Sequence, residues 1–573
     1  MASAGATALA YPRPDVRTVS DDRLSRPEAV LLSLMAVPAL VVVTAYVADL
    51  VGLAFRPLPM AGVALVTLLV TLPLVRAARL SRADGVFAGV LVVATLAWLL
   101  WLARPFLLPL ATGPDITHHL MLIEYIETHW RLVHDAGLER FLGEMAQYTP
   151  GSHILAALAG AWSGTDGTRA LHTVQATLVA LKVGFLFFIV RRGGAAAVPR
   201  ALTVAGVLLL LAAPRYALGA FAEYGFVAQV VAEAFVVAMW WAVVAWDGAP
   251  DWRLAMFFSL CGAAAFLTWP VYVGPPVAAF GLVLLARRET TWPERVRHLA
   301  AALLPFAIVA GLYLAPRLGW LAMAGTGGDA PWPSPAVYSW PLTLLAVVGA
   351  GLAATRRASR ATWLFGAMVA AQALSLYVLS VRRGGGAQPY MAQKMAYLLL
   401  WPMVALAALA LGDLWTRVAA RRPRSAVWHT GVAWGVVAVV LGGVTGSFVW
   451  QPKRLRPLPP ALTSLDVYDA ARWARAHLPV GCIEYLVGDD ETSYWLHLAV
   501  LGNPRMSART ADWATYEPKD AILRWLTPGG LPYAVADLPA LPRGVREELD
   551  VAERFGSAAI VRRRGPASCD VAP

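Results

Sequence analysis

The chain has 573 residues, of which 58% are hydrophobic and only 15% are charged, and its mean hydropathy is +0.58. This composition excludes an ordinary water-soluble domain, which would carry more charge on its surface. The formal charge of +12 comes mainly from arginines in short loops between apolar runs. In that position basic residues set membrane orientation, so we do not predict nucleic-acid binding.

Apolar runs recur along most of the chain, and about 20 apolar residues are enough to cross a bilayer. We therefore predict an α-helical polytopic membrane protein with about thirteen transmembrane helices. The predicted segments are 28–52, 58–75, 84–104, 168–190, 199–213, 226–246, 254–270, 271–286, 297–315, 337–354, 361–380, 394–415 and 427–450. At Trp269-Pro270 a single kinked helix is the alternative to two segments, because proline can bend a helix without ending it.

Arginines fall mostly in every second connection between these segments, which is how basic residues mark the cytoplasmic side. The sequence predicts a multi-pass plasma-membrane protein whose polar residues 1–27, without a cleavable signal pattern, form a cytoplasmic tail. Residues 28–450 form the transmembrane domain, and its long loop 105–167 lies outside the cytoplasm. The run HILAALAGAWSG (His153–Gly164) is too short to span, so we predict a re-entrant or surface-lying helix.

The outer loop contains GPDITHHLMLIEYIETH (Gly113–His129), which places an acid and two imidazoles within five residues. Asp115, His118 and His119 have the spacing i, i+3, i+4, so they share one face of a helix. The stretch therefore predicts an amphipathic helix at the outer membrane interface that directs these three side chains at one site.

Other interpretations of the same stretch remain open. Leu120, Met121 and Ile123 point away from the polar face and are expected to lie against the membrane. Asp115 follows a Gly-Pro pair, where aspartate is a good helix N-cap. Aspartate and histidine are also good metal ligands, so Asp115 and the two histidines form an alternative site for a divalent cation.

Two further features of the first half of the chain carry polar groups. QYTPGSH (Gln147–His153) is a turn that redirects the chain into the short helix. Glu223 in FAEYGF and Glu233 in VVAEAF are rare acids among apolar residues. We expect Glu223 to line a substrate path and Glu233 to face the helical bundle.

The predicted outer loop SVRRGGGAQPYMAQKMAYL (Ser380–Leu398) breaks the charge pattern, because it carries Arg382, Arg383 and Lys394. Ionisable groups at membrane depth are costly and usually functional. Arginine and lysine bind phosphate oxygens, and Tyr390 lies close by in sequence. This loop is therefore predicted to bind a lipid phosphate, with snorkelling to ordinary headgroups as the alternative.

After about residue 451 the apolar character ends, and about 120 residues suffice for a small domain. We predict an extracytoplasmic C-terminal α/β domain over 451–573. SLDVYDAARWARAHLP reads as a capped amphipathic helix, and CIEYLV, YAVADL and SAAIVRRR read as strands. Cys482 and Cys569 both fall in this domain, where a disulfide is compatible with the oxidising side of the membrane.

The acid after an early membrane helix, the Tyr148-x-Pro-Gly turn and the outer C-terminal domain resemble membrane glycosyltransferases of the GT-C class. This class includes protein O-mannosyltransferases and the actinobacterial cell-wall arabinosyltransferases. The likeness covers most of the chain in layout, but its motifs are short. Two residues depart from the pattern: Ile116 and Thr117 follow Asp115 where a second acid is common, and Thr149 replaces a proline.

The resemblance implies a fold, a donor and a reaction. Asp115 would be the general base that activates an acceptor hydroxyl toward a polyprenyl-phosphate sugar, with inversion at the anomeric carbon. Partners would be the lipid-linked donor, membrane lipids and a glycan, lipid or protein acceptor, and no cofactor beyond a divalent cation is implied. The expected substrate-binding residues are His118, His119, Glu124 (also a substitute base), Tyr148, His153 and Glu223.

Two other functions fit the same features. A transporter or flippase for a lipid-linked saccharide would need broken helices or inverted repeats near the membrane midplane, and neither is evident. A ligase that transfers a preassembled glycan would share the phosphate site. A non-catalytic scaffold is a further alternative.

Overall fold

The computed structural model is helical over most of the residues that it describes. The described residues are 24–104, 107–109, 114–134, 142–194, 198–217, 225–317, 333–382, 389–421, 431–436, 438–440, 442, 463–479, 482–496, 518–527, 530–567 and 569.

Helices labelled α1 to α14 form the apolar part of the structure. Their bounds are α1 Arg26–Leu50, α2 Pro57–Ala77, α3 Arg82–Leu102, α4 Pro114–His129, α5 Gly151–Ser163, α6 Gly167–Gly193, α7 Arg200–Leu208, α8 Val227–Gly248, α9 Trp252–Phe266, α10 Gly274–Ala286, α11 Trp292–Leu314, α12 Trp340–Thr355, α13 Arg360–Arg382 and α14 Tyr390–Arg421.

Within the described residues, eight helices are long and apolar enough to cross a membrane: α1, α2, α3, α6, α8, α11, α13 and α14. Shorter apolar helices cover Arg200–Ala212, Trp252–Phe266, Pro270–Ala286, Trp340–Thr355 and Gly431–Val440. Every predicted transmembrane segment overlaps one of these helices. The polytopic helical class is thus confirmed, and in the part of the chain that the structure describes eight of these helices have the length of a full span.

The arginine-bearing connections meet at one end of the bundle, which we call the basic end. Buried or half-buried carboxylates from other helices neutralise them there. The pairs are Arg192–Glu28, Arg200–Asp84, Arg360–Asp247 and Arg356–Asp413. The connections that were predicted to share one side of the membrane, from their arginines, therefore lie at the same end of the structure. Its cytoplasmic location stays a prediction.

Glu28 is the most constrained acid of the basic end. Its carboxylate accepts hydrogen bonds from Arg192 Nε at 2.5 Å and from the Trp241 indole at 3.2 Å, and the residue is only 4% exposed. Glu28→Gln should lower the free energy of unfolding by about 3–5 kcal/mol, because it leaves a buried guanidinium uncompensated. Glu289→Gln, which breaks an exposed pair with Arg357, should cost less than about 1 kcal/mol. Denaturant titration of both purified variants measures the difference, and equal losses would contradict it.

The chain does break near Trp269-Pro270. Helix α9 ends at Phe266, a 3₁₀ turn covers Pro270–Tyr272, and α10 begins at Gly274. The two helices form a hairpin, because Arg287 just after α10 donates to the carbonyl of Asp247 at the basic end. The tip of this hairpin therefore lies at the opposite end, which we call the site end.

At the site end the Tyr-x-Pro-Gly turn packs on the hairpin tip. Thr149 Oγ1 donates to the carbonyl of Thr268 at 2.6 Å, and Gly151 N donates to the carbonyl of Leu267 at 2.8 Å. A Cβ at Gly151 would overlap Thr268, so only glycine permits this approach. The turn starts α5, which is 13 residues long, in agreement with the prediction of a helix too short to span.

Residues 465–562 contain a four-stranded sheet of order β1-β2-β4-β3 with short helices. Strand β1 is parallel to β2, and the other pairs are antiparallel. A disulfide joins Cys482 to Cys569. The bounds are α15 Leu465–His477, β1 Ile483–Leu486, α16 Asp490–Trp495, α17 Pro518–Leu526, β2 Tyr533–Asp537, α18 Arg543–Glu548, β3 Asp550–Phe555 and β4 Ala558–Arg562.

Candidate functional site

Helix α4 carries the candidate site and packs within the protein rather than on the membrane. Leu120, Met121 and Ile123 are 0%, 2% and 0% exposed, because α4 contacts α5, α6 and α16. The prediction that these residues lie against lipid is therefore wrong. Asp115 stands in the first turn of α4 with an exposed side chain, where the helix dipole favours a negative charge.

One turn further along α4, His119 is buried against His153 of α5. His119 Nδ1 and His153 Nε2 are 2.9 Å apart, so one ring donates to the other. The edge of Tyr148 contacts both rings, with centroid distances of 5.3 and 5.8 Å. The site end thus joins three of the predicted substrate-binding residues, from α4, the turn and α5.

Burial keeps this pair neutral. It holds the pKa of His119 well below its usual range, and the neighbouring charges of His153, His118 and Lys394 act in the same direction. Burial lowers the pKa of His153 to about 3, against weaker opposing hydrogen bonds from the backbone. Two neutral imidazoles can donate and accept hydrogen bonds to a sugar, but they do not supply a cation at neutral pH.

This lowered pKa predicts acid sensitivity. In the unfolded chain a histidine binds a proton below about pH 6.5, whereas folded His153 binds one only below about pH 3. Between these two pH values the unfolded state binds more protons, so the stability of the folded state falls as the pH drops. The loss approaches about 1.4 kcal/mol per pH unit for one such group. His153→Gln should flatten the fall in melting temperature between pH 6.5 and 4, while His129→Gln, at an exposed residue of the same helix as His119, should not. Equal pH slopes for wild type and His153→Gln would contradict the prediction.

His118 and Glu124 contact helices of residues 465–562, which we call the C-terminal unit. His118 Nε2 lies 2.9 Å from the Tyr494 hydroxyl of α16. Glu124 accepts from Arg472 at 2.5 Å and lies 3.2 Å from Arg475, both on α15. Asp115, His118 and His119 therefore do not converge on one point, since the two histidines contact different elements.

Glu127, on the same helix as Glu124, is an acid that was not predicted from the sequence. Its carboxyl accepts from the backbone of Gly167 at 2.5 Å. Burial, reinforced by the charge of Glu124, raises the pKa of Glu127 to about 8. The contact between α4 and the start of α6 is therefore made by a carboxyl that is largely protonated at neutral pH.

Lys394 lies in an aromatic cage at the start of α14. Its ammonium is 2.7 Å from the ring centroid of Phe226, 4.8 Å from that of Tyr390 and 5.7 Å from that of Trp269. The residue is only 3% exposed, and the charges of Asp115 and Glu233 both act on it. Cation–π contacts of this kind stabilise a desolvated ammonium.

Lys394 and Tyr390, which were predicted to belong to one site, are in contact. Phe226 and Trp269 complete the cage and were not predicted from the sequence. Arg382 is exposed at the end of α13. Arg383 and Glu223 lie outside the described residues. Among the described residues no group of three or more His, Cys, Asp or Glu side chains is arranged to hold a metal ion.

No family model and no curated protein matches this sequence. Among solved structures, the chain is similar to ArnT from Cupriavidus metallidurans bound to undecaprenyl phosphate, with a TM-score of 0.49 and 15% identity over 83% of this chain and 97% of that one. It is also similar to the archaeal oligosaccharyltransferase AglB from Archaeoglobus fulgidus, in complex with an inhibitory peptide and a dolichol-phosphate, with a TM-score of 0.43 and 12% identity over 80% of this chain and 70% of that one.

A third similarity is to the arabinofuranosyltransferase AftD from Mycobacteria, with a TM-score of 0.47 and 14% identity over 83% of this chain and 40% of that one. Two of these three structures are thus named as an oligosaccharyltransferase and an arabinofuranosyltransferase. At these identities the similarities identify no functional residue of this chain.

Proposed function

We propose that this protein is a membrane glycosyltransferase that moves one sugar from a polyprenyl-phosphate donor to an acceptor outside the cytoplasm. One observation carries the proposal. An exposed carboxylate, Asp115, acts electrostatically on Lys394, whose buried side chain lies in an aromatic cage. The exposed carboxylate suits a general base, and the buried cation on which it acts suits a binding site for phosphate.

The proposed chemistry uses these two charges in turn. Asp115 takes the proton of an acceptor hydroxyl as its oxygen attacks the anomeric carbon. The bond between that carbon and the phosphate oxygen breaks with inversion, and polyprenyl phosphate leaves with the electron pair. Lys394 then neutralises the phosphate at the membrane surface. The reaction balances without a further reactant.

The neutral histidines and Tyr148 have a different proposed role. Tyr148 is half-buried, and its ring contacts both imidazoles of the His119–His153 pair. Sugars combine apolar ring faces with hydroxyl groups, and an aromatic ring beside neutral donors and acceptors suits both. We assign these three residues to sugar binding.

The C-terminal unit is proposed to complete the outer side of the site. It places the Tyr494 hydroxyl on His118 and two arginines on Glu124. The C-terminal unit thus meets α4 at positions three and nine residues beyond Asp115. This position favours a role in holding the acceptor, whether glycan, glycolipid or protein.

Purified protein in lipid nanodiscs should be incubated with cell-envelope acceptors and a panel of donors, which holds polyprenyl-phosphate sugars and a polyprenyl-pyrophosphate glycan, with and without a chelator. The proposal expects equal amounts of polyprenyl phosphate and singly glycosylated acceptor by mass spectrometry. Multi-sugar products released from a pyrophosphate donor would indicate the ligase instead. Movement of intact donor across proteoliposomes, with no covalent product, would indicate the transporter.

A further inference from the structure

A buried ion pair lies inside the membrane domain, one level below Lys394. Lys182 Nζ of α6 is 2.7 Å from Glu233 Oε2 of α8, and their side chains are 3% and 6% exposed. The indole of Trp401 donates to the same carboxylate oxygen at 3.3 Å, and Gln229 donates to the other oxygen at 3.4 Å. The Lys182 ammonium also lies 4.0 Å from the Trp401 ring centroid.

Helices α8 and α14 both contribute to the Lys182–Glu233 pair and to the cage around Lys394, and the two sites are separated by the same distance along each helix. Lys394 contacts Phe226, and Trp401 contacts Glu233. Lys394 and Trp401 are seven residues apart along α14, and Phe226 and Glu233 are seven residues apart at the start of α8. Seven residues correspond to about 10 Å along a helix axis. Seven residues are nearly two turns, so each helix presents both of its residues on the same face.

Glu233 is held in place, whereas Lys394 has a flexible stem. Four groups fix the carboxylate: Lys182, Trp401, Gln229 and its own helix. Charge at this depth is costly and is retained where it acts on another group. The titratable and charged groups around Lys394 are Asp115 and His119 from α4, Glu233 from α8, Lys182 from α6, Tyr272 from the hairpin and Tyr390 from α14.

We infer that Glu233, locked by Lys182, is a positioning residue that keeps the Lys394 ammonium charged and seated in its aromatic cage for the donor phosphate. This inference rests on the proposed function. Glu233 neutralises Lys182, so Glu233→Gln would leave the Lys182 cation uncompensated about 10 Å from Lys394. A unit charge at that distance, in a surrounding of effective dielectric near 20, shifts the charge equilibrium of Lys394 by roughly tenfold.

The sign of the effect distinguishes this role from simple repulsion. If Glu233 acted directly on the donor, its removal would tighten binding of an anionic phosphate. Acting through Lys394, its removal weakens binding. Loss of packing alone would weaken the fold without a specific change in phosphate affinity.

The test measures the dissociation constant of undecaprenyl phosphate for the full protein in nanodiscs, without any transfer reaction. Glu233→Gln should raise this constant by about tenfold. In a Lys394→Met background the same substitution should change it by less than twofold. Glu28→Gln is the matched control, because it also breaks a buried ion pair but at the basic end, and it should leave the constant unchanged.

The double variant Glu233→Gln with Lys182→Met removes both charges and so preserves a neutral, packed interior. It should bind about as tightly as the wild type, because the ion pair and its complete removal both leave no net charge near Lys394, and it tests the inference if the single variant does not fold. Unchanged or tighter binding in Glu233→Gln, or weak binding in the double variant, would overturn the inference alone. Failure of the wild type to bind undecaprenyl phosphate would instead count against the proposed function.

Discussion

Replacing Asp115 with asparagine is expected to slow sugar transfer by about 100-fold or more, because a positioned general base contributes roughly 10²–10⁴ to a rate. Asparagine keeps the size and the hydrogen-bonding capacity of the side chain but cannot accept the proton. The measurement is single-turnover release of polyprenyl phosphate by the wild type and by Asp115→Asn at saturating donor.

Donor binding should change much less in this variant. Loss of Asp115 removes an anionic neighbour of Lys394, which weakens phosphate binding, and also removes a like charge near the phosphate, which strengthens it. These effects oppose each other, so we expect the dissociation constant of undecaprenyl phosphate to stay within about tenfold. A large loss of rate with little loss of affinity separates a base from a binding residue.

A matched control addresses helix capping, the other role considered for Asp115. Asp251 also begins a helix, accepts the backbone N–H of Arg253 at 2.9 Å and lies at the basic end. Asp251→Asn should leave transfer unchanged, since asparagine is an equally good cap. If Asp115→Asn behaved like Asp251→Asn, Asp115 would be a helix-start residue and the base would have to be sought elsewhere in the protein.

Much of the membrane architecture was predictable, because apolar length and arginine spacing are local properties of a sequence. Helix α4 shows the limit. Its helical spacing and its polar residues were predicted, but its apolar face was assigned to lipid. Hydrophobic periodicity identifies a buried face and cannot say whether lipid, α5 or the C-terminal unit covers it.

The partners of two predicted acids, Arg472 and Lys182, were missed because they lie in distant parts of the chain. Glu124 meets Arg472 across 348 positions, and Glu233 meets Lys182 across 51. Phe226 and Trp269 are ordinary interfacial aromatics in sequence and become a cage only when Lys394 is placed between them. No local pattern marks such pairs.

Strand β3 was missed for a related reason. Its residues, Asp550–Phe555, are exposed at the edge of the sheet and half of them are charged, so they lack the apolar signal of a strand. Strands β1, β2 and β4, which the sequence predicted, are mostly buried. The hydrophobic pattern therefore predicted the strands that form the core of the sheet. It missed β3, which is a strand only because its backbone pairs with β4.

Lys394→Met is expected to weaken binding of undecaprenyl phosphate by about 100-fold, which is the largest effect on affinity that we predict. A charge-assisted contact to phosphate is worth more than an ordinary hydrogen bond, and its partial desolvation in the cage strengthens it further. Methionine matches the length of lysine and packs well against aromatic rings, so the cage should survive and the variant should remain folded. Equilibrium binding in nanodiscs measures the loss.

Arg382→Met separates two versions of the phosphate site. Arg382 was predicted to share the phosphate with Lys394, yet its side chain is exposed at the end of α13, where water and salt screen its charge. If the buried ammonium supplies most of the binding, Arg382→Met should weaken affinity by less than about threefold, as expected for a screened surface charge. Comparable losses in both variants would mean that the arginine closes over the phosphate, whereas full affinity in Lys394→Met would remove the cage from the donor site and leave Lys394 as a partner of Asp115 and Glu233 only.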